Sequence, residues 1–140
     1  MRSREASQLL RSFVAMGGNV NEIHSNSGWT LLRAACEHMN LDLIAELGSI
    51  GADPNLRSVD DGWTAMHHAV DVDIDSVWQA THAENLADKL TFDTVKSILA
   101  IGGAFDVPAN DGRLPRDVAA GYGDDVASQF DITIRDRTSR

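Results

Sequence analysis

The fold is decided by one stretch of the sequence, SGWTLLRAACEHMNLDLIAELGSIGADPN, which spans residues 27–55. It opens with a turn signal at Gly28 and closes with a glycine-containing loop, and the residues between them have the pattern of helices. In its second half, Leu43, Leu47 and Ile50 recur at the i, i+4, i+7 spacing of one apolar helix face. The stretch therefore predicts a turn, a short helix, a second helix and a loop.

The same landmarks occur twice along the chain. SGWTLL (27–32) is followed by DGWTAM (61–66), and GGNVN (17–21) is followed by GADPN (51–55). Both pairs are separated by 34 residues. A fixed period of this size is the signature of a repeat protein, in which each unit buries its apolar face against the next one.

The repeated unit resembles the ankyrin repeat, whose usual text is D-G-x-T-P-L-H-x-A-A, then a second helix, then G-A-D-x-N. The resemblance covers about residues 7–130 and implies an all-α ankyrin-repeat solenoid of about three repeats plus an N-terminal half repeat. We expect a single ankyrin-repeat domain over residues 1–130, divided into a half repeat (7–25), a repeat (26–59), a repeat with an insertion (60–109) and a terminal repeat (110–130), followed by a tail (131–140) that is disordered or ordered by a partner.

The repeat at 60–109 contains an insertion between its two helices. From turn glycine to loop glycine it takes 41 residues, whereas the repeat at 26–59 takes 23, so that 18 residues are extra. They lie within residues 71–93, where Thr81 and Glu84 have the spacing of a capping box and predict that part of the insert is helical. Insertions in solenoids often mark a binding face. The alternative is a neutral surface elaboration with its own small core around the third tryptophan, Trp78.

The formal net charge is −9, and the charge is uneven. Residues 60–93 contain eight acidic residues and a single lysine. Such a field repels phosphate backbones, which argues against nucleic acid as a ligand and favours a partner protein with a basic surface. The alternative is a solvated acidic face that keeps the protein soluble. No apolar run approaches the roughly 18 residues of a membrane span, so no membrane partner is expected.

The single cysteine, Cys36, excludes an internal disulfide bond and favours a reducing, cytoplasmic location. The N-terminus places basic residues before apolar ones, which faintly suggests a signal peptide. Glu5 and Arg11 interrupt that pattern, and the apolar residues Leu9, Leu10, Phe13 and Val14 have helical spacing. We therefore expect an amphipathic helix there, with a targeting segment as the alternative.

Sites for catalysis or metal binding are weak in this sequence. His67 and His68 are adjacent, so their side chains diverge by about 100° on a helix and cannot easily share one ion. Asp71, Asp73 and Asp75 resemble the start of a calcium loop that lacks the required glycine and final glutamate. The cysteine occupies a small, buried position of the repeat rather than that of a nucleophile. We expect no catalytic residue, no metal and no cofactor, and a metal- or cysteine-dependent enzyme is a distant alternative.

The resemblance assigns two sets of residues. In the family, the threonine and histidine of the Thr-Pro-Leu-His motif tie the turn to the helix, and here Thr64 and His67 inherit that role, whereas Arg33 and Asp117 leave the other two repeats without it. Gly28, Gly62 and Gly112 are expected to form the turns. The residues expected to face a partner are Trp29, Glu37, His38, Asp60, Asp61, Trp63, Asp71, Val72, Arg113 and Tyr122, together with Asp73, Asp75 and Trp78 of the insert.

The two turn tryptophans, Trp29 and Trp63, have two interpretations at this point: they are contact residues for a partner, or they stack on each other and on neighbouring turns. The family binds proteins and has no intrinsic catalysis. We therefore expect a non-catalytic protein-binding module with one protein partner, monomeric when free. The most specific hypothesis is an immunity protein that neutralises a cognate basic toxin, and the alternative is an adaptor or regulatory subunit of another intracellular complex.

Overall fold

The computed structural model describes residues 8, 11–12, 15–25, 28–82 and 85–138. Within these residues the secondary structure is helical and contains no strand. The helices that follow the first turn are α1 (Leu31–Glu37), α2 (Leu41–Ser49), α3 (Ala65–Thr81), α4 (Leu86–Lys89), α5 (Asp93–Ala100), α6 (Pro115–Ala120) and α7 (Asp124–Thr138). Before them, Gln8, Arg11, Ser12 and Ala15 are helical. The rest of the predicted N-terminal helix lies outside the described residues.

Six of these helices form two packed rows. α1, α3 and α6 contact one another in that order and make the inner row, while α2, α5 and α7 make the outer row. Each inner helix also packs against an outer one, in the pairs α1–α2, α3–α5 and α6–α7. The short helix α4 lies between α3 and α7. Among the described residues, no helix is both long and apolar enough to cross a bilayer.

Side-chain caps define the starts of the two helices within residues 27–55. Thr30 precedes α1, and its Oγ1 accepts a hydrogen bond from the backbone N–H of Arg33 at 3.2 Å. Asn40 precedes α2, and its Oδ1 accepts from the N–H of Leu43 at 3.1 Å. Both side chains thereby satisfy amides that have no partner within the helix. The apolar faces of α1 and α2 then meet in the buried core.

Three turns with related hydrogen bonding connect the pairs. In each turn an amide donates across to a carbonyl: His24 to Trp29 at 2.8 Å, Ser58 to Trp63 at 2.9 Å and Ala109 to Arg113 at 2.8 Å. Each turn also contains a glycine at positive φ, namely Gly28 (+72°), Gly62 (+73°) and Gly112 (+87°). A side chain strains this backbone conformation, which explains why glycine recurs there. Successive turns touch, because Val59 N–H donates to the Gly28 carbonyl at 3.3 Å and Asn110 N–H to the Asp61 carbonyl at 3.0 Å.

The loops after the outer helices are joined by two equivalent asparagines. Asn21 donates through Nδ2 to the carbonyl of Gly51 at 3.1 Å and accepts through Oδ1 from the N–H of Asp53 at 2.7 Å. Asn55, which is 34 residues later, bonds Gly102 and Ala104 in the same way, at 3.3 and 2.8 Å. The asparagine that ends each loop motif therefore forms hydrogen bonds to the next loop.

The first part of the predicted insertion continues the inner helix, and its second part contains the short separate helix α4, so the prediction that part of the insert is helical is confirmed. α3 runs without interruption to Thr81, so it has 17 residues where α1 has 7. The predicted capping box is wrong, because Thr81 lies in the last turn of α3 and its hydroxyl donates to the carbonyl of Val77 at 2.8 Å. Glu84 lies outside the described residues. Asn85 precedes α4 instead.

The expectation of a disordered tail from residue 131 is wrong through residue 138. α7 continues to Thr138, and Phe130, Thr133 and Ile134 are buried. These residues lie at i, i+3 and i+4, which is the spacing of a helix face. Phe130 also meets the Phe92 ring edge-on, with ring centroids 5.9 Å apart. The predicted tail is therefore part of a helix through Thr138, and one face of that helix packs on the core.

Candidate protein-binding surface

The two turn tryptophans share a third residue, Arg33. The guanidinium carbon of Arg33 lies 4.5 Å from the ring centroid of Trp29 and 5.4 Å from that of Trp63. Arg33 is 4% exposed, whereas both tryptophans are half-buried. Neither interpretation from the sequence included this contact. Both rings are committed to a cation of the protein's own chain, and this cation–π contact is one reason for their placement.

Arg33 is also the centre of a polar network that crosses from one turn to the next. Its Nη1 donates to Ser58 Oγ at 2.6 Å and to Asp61 Oδ1 at 2.9 Å, and its Nη2 donates to Asp61 Oδ2 at 2.9 Å. Its Nε donates to His68 Nδ1 at 2.9 Å. The Arg33 side chain therefore ties α1 to the following turn and not to its own turn.

Asp61 belongs to this network and is not a free surface acid. Besides the bidentate pair with Arg33, its Oδ1 accepts from the N–H of Trp63 at 2.9 Å. Partial burial raises the pKa of Asp61, but the hydrogen bonds from Arg33 and Trp63 outweigh this effect and lower the pKa below its usual value. Its assignment as a partner-binding residue stays a prediction, because the side chain is still partly exposed.

Thr64 and His67 tie the second turn to α3. The backbone N–H of Thr64 donates to His67 Nδ1 at 3.1 Å, which assigns the ring proton to Nε2. Nε2 then donates to the carbonyl of Arg113 in the third turn at 2.9 Å. Burial lowers the pKa of His67, so the ring is neutral in this arrangement. In the third turn Asp117 has a related role, since its Oδ2 accepts from the N–H of Leu114 at 2.8 Å.

His68 links the buried network to the surface. Because Nδ1 accepts from Arg33, the ring proton resides on Nε2 and is donated to a carboxylate oxygen of Glu37. Burial lowers the pKa of His68, although Glu37 raises it in opposition. The side chain of Glu37 is half exposed. His67 and His68 thus have different partners, and the described residues contain no group of three side chains arranged to hold a metal ion.

The extended part of α3 presents a second surface, which we call the acidic aromatic strip and define as Asp71, Asp75, Trp78 and Tyr122. The three α3 residues lie at i, i+4 and i+7, so they share one helix face. The Tyr122 hydroxyl, just after α6, donates to Asp71 Oδ1 at 2.9 Å. The rings of Trp78 and Tyr122 lie 6.1 Å apart at 59°, and Trp78 is 42% exposed. Two predicted regions, the insert and the terminal repeat, are thereby brought together.

The acidic aromatic strip carries negative charge that no neighbouring cation compensates among the described residues. No lysine or arginine among the described residues forms an ion pair with Asp71 or Asp75. Burial and the neighbouring Asp71 carboxylate, with a further contribution from Asp75, raise the pKa of Tyr122 to about 12. The two carboxylates therefore act on the tyrosine as an uncompensated negative field.

Asp73 does not belong to this surface. It is 4% exposed, and its Oδ2 accepts from the N–H of Val95 at 3.1 Å, at the first turn of α5. Phe92, which precedes α5, provides no side-chain cap, so Asp73 caps that helix from α3. Within the described residues, Asp73 Oδ1 and Thr94 Oγ1 are buried without a hydrogen-bond partner. The assignment of Asp73 to a partner surface is wrong, and burial raises its pKa to about 6.

Asp73→Asn is expected to change how acid affects stability. The pKa of Asp73 is about 6 in the folded protein and 3.8 for an unperturbed aspartate, which represents the unfolded chain. Between these two pH values the folded state binds more protons than the unfolded state, so acidification favours the folded state. Between about pH 7.5 and pH 5 the wild type should therefore lose about 1 kcal/mol less unfolding free energy than the variant. Urea unfolding of both proteins at the two pH values measures this difference. Parallel pH profiles would contradict it.

The other predicted contact residues have mixed environments. His38 is exposed at the C-terminus of α1, Asp60 is exposed in the second turn, and Val72 is half-buried. Arg113 is exposed and pairs with Asp111 at 2.8 Å. The cysteine is fully buried, and burial raises the pKa of the Cys36 thiol, which is the opposite of what activates a nucleophile.

Residues 27–59 match the family model of the ankyrin repeat. No curated protein matches the chain. The matched range contains the Gly28 turn, the α1–α2 pair and the loop that follows. Residues 27–59 are therefore similar to an ankyrin repeat. Ankyrin repeats are protein-binding modules and are typically non-catalytic.

Proposed function

We propose that this protein is a non-catalytic recognition module whose inner row binds one partner protein with a basic surface. The observation that carries the proposal is the exposed edge of that row. Glu37 at the end of α1, Asp71 and Asp75 on α3, and the half-exposed rings of Trp78 and Tyr122 offer carboxylates beside aromatic surface. Aromatic side chains give large contact areas at low entropic cost, and unpaired carboxylates steer a partner of opposite charge.

Net charge supports the choice of partner. The chain carries a net charge of −9, and a negative field accelerates the capture of a basic protein while it repels nucleic acid. The narrower form of the proposal is an immunity protein that binds a basic toxin and covers its active site. An adaptor in another intracellular complex shares the same surface requirement. One tight partner that is toxic when expressed alone supports immunity, and several weaker partners support the adaptor.

Capture from the source cells tests the function. The tagged wild type serves as bait beside the variant Asp75→Lys, which reverses one surface charge that lies outside the buried Arg33 network. We expect the wild type to retain a basic protein that the variant binds at least about tenfold more weakly, and we expect the association rate to fall as salt is raised. Calorimetry with the purified partner measures the affinity.

Two results would overturn the proposal. If the wild type retains no protein beyond those that bind the affinity matrix without bait, the proposal that this chain recognises a protein partner is wrong. If both baits retain the same partner with equal affinity, the inner row is not the surface that binds it. The variant must first show the helical content and unfolding midpoint of the wild type, because only then does a loss of binding report on the surface.

A further inference from the structure

The structure contains its own example of how this protein binds a cation. Arg33 lies against the rings of Trp29 and Trp63, and its guanidinium forms a bidentate pair with Asp61. Two aromatic side chains and a carboxylate are thus the complete environment of one planar cation, apart from the Ser58 and His68 hydrogen bonds. An internal arginine already fills this environment.

The acidic aromatic strip has the same kinds of side chain but contains no cation from the described residues. Two aromatic rings, Trp78 and Tyr122, lie beside two carboxylates rather than one. Asp71 uses Oδ1 for Tyr122, and Asp75 uses Oδ2 for Gln79 at 2.9 Å. Among the described residues, the second oxygen of each carboxylate accepts no hydrogen bond and remains available.

We infer that the strip binds an arginine side chain presented by the partner protein. This inference rests on the proposed function and specifies the chemistry of its contact. The guanidinium packs on the exposed face of Trp78, and its N–H groups donate to the free oxygens of Asp71 and Asp75. Arginine fits better than lysine because its planar fork stacks on an aromatic ring and donates to two carboxylate oxygens at once.

The negative charge of the strip favours a cationic group over an anionic one. Burial and the two carboxylates raise the pKa of the Tyr122 hydroxyl to about 12, so Tyr122 stays neutral and remains a hydrogen-bond donor to Asp71. A phosphate or another acidic group would meet uncompensated like charge at the same place. The exposed half of Trp78 provides the apolar surface that a plain acidic patch lacks.

Titration with an acetylated tetra-arginine amide tests the inference on the full chain. Nitrogen-15 labelling gives a separate indole N–H signal for each of the three tryptophans, and Trp78→Phe assigns one of them. We expect the Trp78 signal to shift saturably while the Trp29 and Trp63 signals stay in place. Acetylated tetra-lysine amide should bind about threefold more weakly, because it loses the stacking and the bidentate pairs.

Two matched double variants distinguish a specific contact at the strip from a general effect of the negative charge of the protein. Asp71→Asn/Asp75→Asn keeps the oxygen that accepts from Tyr122 and removes two charges from the strip. Asp88→Asn/Asp106→Asn removes two charges from exposed positions elsewhere. We expect the first pair to weaken tetra-arginine binding about tenfold and the second by less than about twofold.

The outcomes are distinct from those of the capture experiment. Equal weakening by both double variants, a shift of all three indole signals together, or no Trp78 shift would each overturn the arginine contact. Any of these results combined with a captured partner leaves protein recognition standing and places its contact elsewhere. A selective Trp78 shift without a captured partner supports the strip as an arginine site and overturns the proposed cellular function instead.

Discussion

Arg33→Met is expected to lower the free energy of unfolding by about 2–4 kcal/mol, because it removes the donor from buried acceptors and breaks an ion pair whose arginine is buried and whose aspartate is partly exposed. Methionine has a similar length but no donor. The variant therefore leaves Ser58 Oγ, His68 Nδ1 and the Asp61 carboxylate without the hydrogen bonds that Arg33 supplies. The Trp29 and Trp63 rings also lose the cation between them. Urea denaturation monitored by circular dichroism measures the change.

Arg116→Met is the matched control. Arg116 is half exposed and pairs with Asp131 on the surface, so its replacement should cost less than about 1 kcal/mol. Similar losses for both arginines would contradict the central role of Arg33. A small loss for Arg33 with altered partner binding would show that the two tryptophans act as contact residues rather than as its packing surface.

Phe130→Ala is expected to destabilise the protein by about 3–5 kcal/mol, as is typical for truncating a buried phenylalanine. The Phe130 ring is buried against Phe92 and lies where α7 meets the core. The variant leaves a cavity between α7 and the residues that precede α5. Thermal or urea unfolding of the full chain gives the loss directly.

Ile132→Ala on the same helix is the control for this prediction. Ile132 is 43% exposed, two residues from Phe130, and the opposite phase of the helix places it away from the core. We expect it to cost less than about 1 kcal/mol. If both substitutions have small effects, α7 does not pack on the core and the disordered tail expected from the sequence is the better description.

The turns and the first helix pair could be predicted from sequence, because their signals are local. Gly28 and Gly62 mark positive φ, Thr30 and Asn40 cap helices, and the apolar spacing of α2 defines its buried face. The matched ankyrin repeat covers this part of the chain. Each of these features is decided within a few residues, so a single sequence is sufficient.

The sequence contains an apolar pattern that predicts the extension of α3, but a second pattern overlaps it. Val70, Ile74 and Val77 have the i, i+4, i+7 spacing of a continuing helix, but the alternating aspartates between them obscured it. The burial of Asp73 had no such signal. Its partner is the amide of Val95, 22 residues away, and only the packing of α5 on α3 brings them together.

The role of Arg33 illustrates the same limit at the candidate site. An arginine in place of the usual histidine looks like a lost interaction, since its partners Ser58, Asp61 and His68 are 25, 28 and 35 residues away. The acidic aromatic strip likewise joins α3 to a tyrosine 51 residues after Asp71. Long-range contacts of this kind follow from the stacking of the rows and not from any local pattern.

The network around Arg33 has a consequence for how this small solenoid holds together. Its residues straddle the boundary between one sequence repeat and the next, and Asn21 and Asn55 bridge the loops in the same way. The unit that is duplicated in the sequence therefore does not contain all of its own stabilising contacts. Excising residues 27–59 would retain the ankyrin motif while leaving its buried arginine without its aspartate. We therefore expect the cooperativity of unfolding to depend on the contacts across the boundaries between repeats.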